Sequence, residues 1–270
     1  MDVPVPLDRR ERRGASTPVV AVLGLGEAGS RLAADLAAAG LDVRGYDPVA
    51  PDDGQVPTRA SDPEAAVAGC DVVLSVNSAK AALDAAAASL PALREATIYA
   101  DLNTASPELK RELAALVARQ ARFVDVALLG PVPASGLRAP VLASGEGAQA
   151  FADLFRPLGM PVEVVSAEPG DAAAMKLVRS VFMKGLAASV VESMQAAEAA
   201  GRADWLAQEI AAIIGRPFLE RALEGSRKHA ARRVDEMEAA RDLLLELGVE
   251  PRIAAASAAQ LAELAATGER

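Results

Sequence analysis

Gly24, Gly26 and Gly29 form a G-x-G-x-x-G spacing directly after the apolar run Val19–Leu23 and directly before a helix-forming run from Ser30. A dinucleotide pyrophosphate needs that order. Gly24 turns the chain sharply at the strand end, Gly26 presents no side chain to the phosphates, and Gly29 lets the helix lie close to the strand. Leu25, Glu27 and Ala28 complete the loop, and the helix N-terminus offers unpaired N–H groups and partial positive charge to the anion. Asp47 follows the next predicted strand, Leu41–Tyr46. A carboxylate there binds a ribose 2′-OH and repels a 2′-phosphate, so NAD is expected in preference to NADP. The plainer alternative is a Gly-rich strand–helix turn, with Asp47-Pro48 as turn chemistry. Asn77, just after the predicted strand Val72–Val76, is a further cofactor candidate.

The elements that must position these groups alternate. Strands are predicted at Val19–Leu23, Val43–Tyr46, Val72–Val76, Thr97–Ala100 and Phe123–Leu128, with shorter ones at Pro140–Ala143 and Val162–Val165. Helices are predicted at Ser30–Ala39, Pro63–Ala68, Ala79–Leu90 and Pro107–Arg119, two of them announced by Asp62-Pro63 and Ser106-Pro107. This is the pattern of a doubly wound α/β domain of Rossmann type, with a mostly parallel sheet. After Gly170 everything reads as helix, with breaks near Gly201–Asp204, Gly215–Pro217, Gly225-Ser226 and Gly248–Pro251. The expected organisation is a flexible tail over 1–17, with its cluster Arg9, Arg10, Arg12 and Arg13, then a dinucleotide-binding domain over 18–166 and an all-helical substrate and dimerisation domain over 167–270.

Composition narrows the function classes. Hydrophobic residues make up 51% of 270, enough for a substantial core, while aromatics are 3% and the net charge is −9. Both figures argue against nucleic acid, and the charge argues against anionic membranes. No apolar run reaches the length of a membrane span. The lone Cys70 cannot form an internal disulfide and reads as packing, which fits a reducing cytoplasm. No metal-ligand set is assigned.

The motifs together resemble the β-hydroxyacid dehydrogenases, the group of 3-hydroxyisobutyrate and 6-phosphogluconate dehydrogenases. Gly24-Leu25-Gly26-Glu27-Ala28-Gly29 with Arg31-Leu32-Ala33 resembles the family's opening. Asp101-Leu102-Asn103-Thr104 with Ser106-Pro107 is similar to its Asp-x-Ser-Thr-x-x-Pro loop, and Gly170 to Lys176 is similar to the segment that opens the helix carrying the catalytic lysine. The last 75 residues look like the compact helical domain of a less characterised branch, marked by Arg227–Met237.

The resemblance implies a cleft between the two domains, a small acidic substrate and a homodimer. It implies Lys176 as general acid/base, since a desolvated lysine near a cationic nicotinamide has a lowered pKa. On periodicity alone, Lys176 is a surface lysine of an Ala-rich helix. Asn103 joins the cofactor candidates. There are departures from the family pattern. Asp125-Val126-Ala127-Leu128-Leu129-Gly130-Pro131 lacks the family's carboxylate-binding Ser, Ser180 replaces an Asn, and Met183 replaces the Glu of the sugar-phosphate decarboxylases. Substrate contacts are therefore expected from Thr104, Gly130, Ser180, Lys184, His229 and Arg233. Lys184 lies about 12 Å along the helix from Lys176; its plain reading is a solvated lysine. His229, Arg232, Arg233 and Glu236 fall on one helical face, either an anion site or a solvated charged face. The expected activity is hydride transfer between a nicotinamide and a hydroxy or keto acid. An imine reductase of the same architecture and a non-catalytic dinucleotide-binding protein are the alternatives.

Overall fold

The computed structural model describes residues 17–51, 54 and 56–268. The arginine cluster of the expected tail lies outside them. Eight strands form one sheet: β1 (Val19–Leu23), β2 (Asp42–Tyr46), β3 (Thr58–Arg59), β4 (Val72–Ser75), β5 (Ile98–Asp101), β6 (Arg122–Leu128), β7 (Val141–Ser144) and β8 (Val162–Ser166). Their order is β3-β2-β1-β4-β5-β6-β7-β8. All neighbours are parallel except β6 and β7, where Asp125 faces Ser144 in antiparallel register. The central strands read as near-continuous apolar runs because both faces of the sheet are covered. On one face α1 (Glu27–Ala38), α5 (Val132–Ser135) and α6 (Ala148–Phe155) meet Val20, Val22 and Leu74. On the other, α2 (Pro63–Val67), α3 (Ala79–Ser89) and α4 (Pro107–Val117) meet Ala21, Leu23, Val73 and Tyr99.

Local chemistry explains the helix starts. Asp62 accepts a hydrogen bond from Ala65 N at 2.7 Å, and Ser106 accepts one from Leu109 N at 3.2 Å, each with proline at the first helical position. These side chains satisfy N–H groups that have no partner within the helix. Three elements escaped the sequence reading: β3, only two residues long, α5, only four, and α6, whose apolar face buries Phe151 and Phe155. Cys70 is buried, its thiol donating to Ala66 O at 3.2 Å.

The remainder is helical: α7 (Asp171–Ala199), α8 (Ala203–Ile214), α9 (Arg216–Lys228), α10 (Ala230–Glu246) and α11 (Arg252–Gly268). α7 spans 29 residues and carries two cores along its length. Leu177 packs with Met237, Ala240 and Leu261 of α10 and α11, and Val190 and Met194 pack with Leu219 and Ala222 of α9. One expectation is corrected here. Gly225-Ser226 does not break a helix but lies inside α9, and the glycine leaves room for the Arg233 guanidinium, whose Nη2 would lie 2.5 Å from a Cβ at 225. Trp205 of α8 is 60% exposed. Among the described residues no helix is long and apolar enough to cross a membrane.

Candidate active site

Gly24, Asp47, Asn77, Asn103 and Gly130 each lie just beyond the carboxyl end of a parallel strand: β1, β2, β4, β5 and β6 respectively. The chain reverses its strand order between β1 and β4, and ligands of open α/β sheets bind at such a point. Gly24 has φ +100°, and a Cβ there would run into the Val76 carbonyl and Asn77 Cα across the switch point. A Cβ on Gly29 would strike the Gly24 carbonyl, so this glycine permits the close helix–loop packing. A Cβ on Gly26 would meet nothing within 4 Å. That open space faces the start of α1, which no side chain caps. The loop therefore fits a pyrophosphate.

Asp47 holds the same loop. Its Oδ2 accepts from Leu25 N at 2.7 Å and its Oδ1 from Val49 N and Ala50 N at 2.8 Å. Burial works against the charged form, but the N–H groups of Ala50, Leu25 and Val49, with Arg59 nearby, outweigh it and keep the carboxyl below its usual range. All three of these hydrogen bonds are turn chemistry, tying the glycine-rich loop to the turn after β2. Arg59, unmarked in the sequence, wraps this turn by donating to the carbonyls of Asp47 at 3.1 Å, Pro51 at 2.8 Å and Ala50.

The loops after β4 and β5 are stitched together. Asn103 Nδ2 donates to Asp101 Oδ1 at 2.6 Å, to Asn77 Oδ1 at 2.9 Å and to Ser75 Oγ at 3.2 Å. Beneath them lies Lys110 of α4, 1% exposed, with Asp101 Oδ2 at 2.6 Å and Asp125 Oδ1 at 3.1 Å. Burial alone would depress this ammonium, but the two carboxylates prevail and raise its pKa. Asp125 Oδ2 also accepts from Ala173 N at 2.8 Å, and Ser144 Oγ accepts from Ala172 N at 3.1 Å. One buried cation therefore ties the loop bearing Thr104 to the first turn of α7.

Those two pieces carry Thr104 and Lys176. Lys176, half-buried, donates from Nζ to Thr104 Oγ1 at 2.6 Å. Burial is the largest influence on its ammonium. Lys110, Lys184 and Arg232 add to it and Glu236 opposes it, leaving the pKa pushed down to about 8. Gly130 is half-buried, and the loop around it is fixed by Leu129 N donating to Pro140 O at 2.9 Å.

On the helical side the expected substrate residues are arranged differently from the sequence reading. Ser180 is 1% exposed and its hydroxyl donates to Glu236 Oε1, inward rather than to solvent. Lys184 is not a solvated lysine: its Nζ lies 2.8 Å from Glu236 Oε1, and its side chain is 18% exposed. Glu236 was read as one member of a surface charge face, yet it is 8% exposed. Burial would raise its pKa, but Lys184 and Lys176, with hydrogen bonds from Lys184 and Ser180, hold it low. Arg233 is half-buried, donating to Ser226 Oγ at 2.8 Å, and Arg232 is exposed. His229 is no face residue either, since it is the non-helical junction between α9 and α10. Burial, with Arg232 and Lys228 close by, lowers its pKa, so its imidazole is neutral near pH 7. Lys228 reaches the glycine-rich loop, with Nζ 3.4 Å from Glu27 Oε1.

Comparison with known proteins agrees with this geometry. The family described as the NAD binding domain of 6-phosphogluconate dehydrogenase matches residues 19–159, and a domain of unknown function (DUF1932) matches residues 197–264. A solved conserved protein of unknown function, described as structurally similar to 3-hydroxyacid dehydrogenases, is 31% identical over 93% of this chain and 99% of its own, with a TM-score of 0.68. The Mycobacterium tuberculosis 3-hydroxyisobutyrate dehydrogenase with L-serine is 22% identical, covers 93% of this chain and 94% of its own, and has a TM-score of 0.76. A reductive aminase from Aspergillus terreus in complex with NADPH is 20% identical, covers 89% and 90%, and has a TM-score of 0.64.

Proposed function

The chain belongs to the family defined by the NAD binding domain of 6-phosphogluconate dehydrogenase, and from that premise we propose that it is an NAD-dependent oxidoreductase interconverting a hydroxy acid and a keto acid, with Lys176 as general acid/base. The observation that carries this reading is the 2.6 Å contact between Lys176 Nζ and Thr104 Oγ1, held at the carboxyl ends of the strands. Bound NAD supplies the hydride acceptor, with Gly24, Gly26 and the start of α1 holding its pyrophosphate and Asp47 its ribose. In alcohol oxidation, neutral Lys176 takes the hydroxyl proton at Nζ. In carbonyl reduction, its ammonium returns it. Thr104 keeps Nζ aimed, and a pKa near 8 makes both forms accessible at neutral pH.

Asp47 favours NAD over NADP, through its carboxylate beside the ribose position. Since Glu236 neutralises Lys184 and His229 is uncharged near pH 7, Arg233 becomes the principal candidate for an anionic group on the substrate, with Thr104 and Gly130 nearer the reacting carbon. The exposed apolar side chains Phe182 (68%) and Ile213 (81%) support a homodimer through the helical half; a single monomeric species in sedimentation at micromolar concentration with NAD would contradict that. The lone buried cysteine fits a cytoplasmic protein.

A screen of hydroxy and sugar acids with NAD, followed at the nicotinamide absorbance, tests the activity. Lys176→Ala should cost roughly 10²–10⁴-fold in turnover with the NAD dissociation constant nearly unchanged. A variant keeping most of the parent activity would move the proton transfer to another group.

A further inference from the structure

We propose that Glu236 is a positioning residue for Lys176: reaching in from α10, it locks two successive turns of α7 beyond the reactive lysine and supplies the balancing negative charge on that side. The geometry is specific. Ser180 and Lys184 are one and two turns after Lys176 on the same face of α7. Both converge on a single oxygen, Glu236 Oε1, Ser180 through its hydroxyl and Lys184 through its ammonium at 2.8 Å. Lys184 Nζ also lies 3.4 Å from Ser180 Oγ, which closes the triangle. A carboxylate 8% exposed is costly to bury and is retained only where partners of this kind satisfy it. Met237, the next residue, packs in the core with Leu177, so α10 is pinned to α7 at this level.

The charges around Lys176 give this carboxylate its consequence. From α4 comes Lys110, itself neutralised by Asp101 and Asp125. From α7 comes Lys184, and from α10 come Arg232 and Glu236. Of those acting on Lys176, Glu236 is the one that favours the protonated lysine. Without it, three cations act on an already desolvated ammonium, and the lysine becomes a weaker base and a poorer proton store. The Glu236–Lys184 pair sets where Lys176 titrates, while Thr104 sets where it points.

The inference rests on Lys176 as the proton-transfer group, so the test reads that lysine directly and needs no substrate. The full-length protein is pulsed with trace acetic anhydride across pH 6–11 (an assay range of roughly five units, set by the ordinary lysine pKa). Acetylation of Lys176 is then quantified by peptide mass spectrometry. The parent midpoint is expected at about 8. Glu236→Gln keeps the shape and loses the charge, so the midpoint falls by about one pH unit. Lys184→Met removes a neighbouring cation and moves it up, and Glu236→Asp restores most of the parent value. A purely structural cluster would leave the midpoint unmoved or shift both variants in the same direction, and either result overturns the proposal. Should Glu236→Gln fail to fold, by circular dichroism, the Lys184→Met midpoint decides alone: a rise supports the proposal, and no change or a fall overturns it. A protein that turns over no hydroxy acid yet shows these opposed shifts would sink the proposed activity and leave Glu236's role standing.

Discussion

Lys176 lies between two buried lysine–carboxylate clusters, one from each half of the molecule, and they are built differently. On the sheet side Lys110 is 1% exposed and holds two carboxylates, which reach in turn to both pieces of the site: Asp125 accepts from the Ala173 N–H in the first turn of α7 and Asp101 from the side-chain amide of Asn103. On the helical side Lys184 keeps 18% exposure and one carboxylate, and that pair binds side chains of α7. The first cluster fixes where the two backbones sit. The second bonds side chains only, holding α10 to α7 through Ser180 and Lys184 and acting on charge. A static scaffold and an electrostatic adjustment are thus assigned to opposite sides of one lysine.

The largest effect should come from breaking the scaffold. Lys110→Met leaves Asp101 and Asp125 buried without a cation. Removing one partner of a buried cluster costs about 3–5 kcal/mol. Urea unfolding should show a loss of that size, with Lys184→Met losing clearly less because its pair is nearer solvent. Equal losses would erase the distinction drawn between the two sides.

A smaller effect is expected where the sheet side meets the cofactor. Asp47→Ala removes a charged acceptor from Leu25 N and from the proposed ribose position. Charge-assisted hydrogen bonds contribute about 1.5–3 kcal/mol, so the NAD dissociation constant should rise roughly ten- to a hundredfold. NADP affinity should hold or improve, because a repelling charge is gone. Calorimetric titration with both cofactors reads this, and a parallel loss of both would make Asp47 a loop brace alone.

The smallest effect lies where the halves touch at the surface. Lys228 and Glu27 meet at 3.4 Å with 59% and 61% exposure. Exposed pairs contribute about 0–1 kcal/mol and are screened by salt. Lys228→Ala should leave the urea midpoint unchanged within error. A drop comparable to that of Lys110→Met would show the inter-half contact to be a structural joint.

The two sides also differed in how far the sequence revealed them. Gly24, Gly26, Gly29 and Asp47 were legible because their function is local: a turn, a helix start and the next strand end all lie within 30 residues. Thr104 and Lys176 were legible only through family resemblance, since their contact spans 72 residues. Lys110 left no signal, because a lysine on an amphipathic helix ordinarily faces water. Glu236 was misread for the same reason. Arg232, Arg233 and Glu236 look like one solvated stripe, whereas tertiary packing of α10 on α7 turns Glu236 inward and leaves Arg232 outside. Gly225-Ser226 misled in the opposite sense: the glycine makes room for Arg233 rather than ending a helix. Local motifs survive translation into structure, and charge on a helix acquires meaning only from the neighbouring helix.

The central claim is that Lys176 exchanges the reaction's proton from a pKa near 8. It is tested most directly by the pH dependence of kcat/KM in both directions, for the parent and for Lys176→Ala. The account predicts that oxidation, which needs the neutral amine, rises with pH through an inflection at about 8. Reduction, which needs the ammonium, falls through the same inflection, and both inflections vanish in the variant along with most of the rate. An inflection near 8 that persists unchanged in Lys176→Ala would contradict it, because the titrating group would then be some other residue.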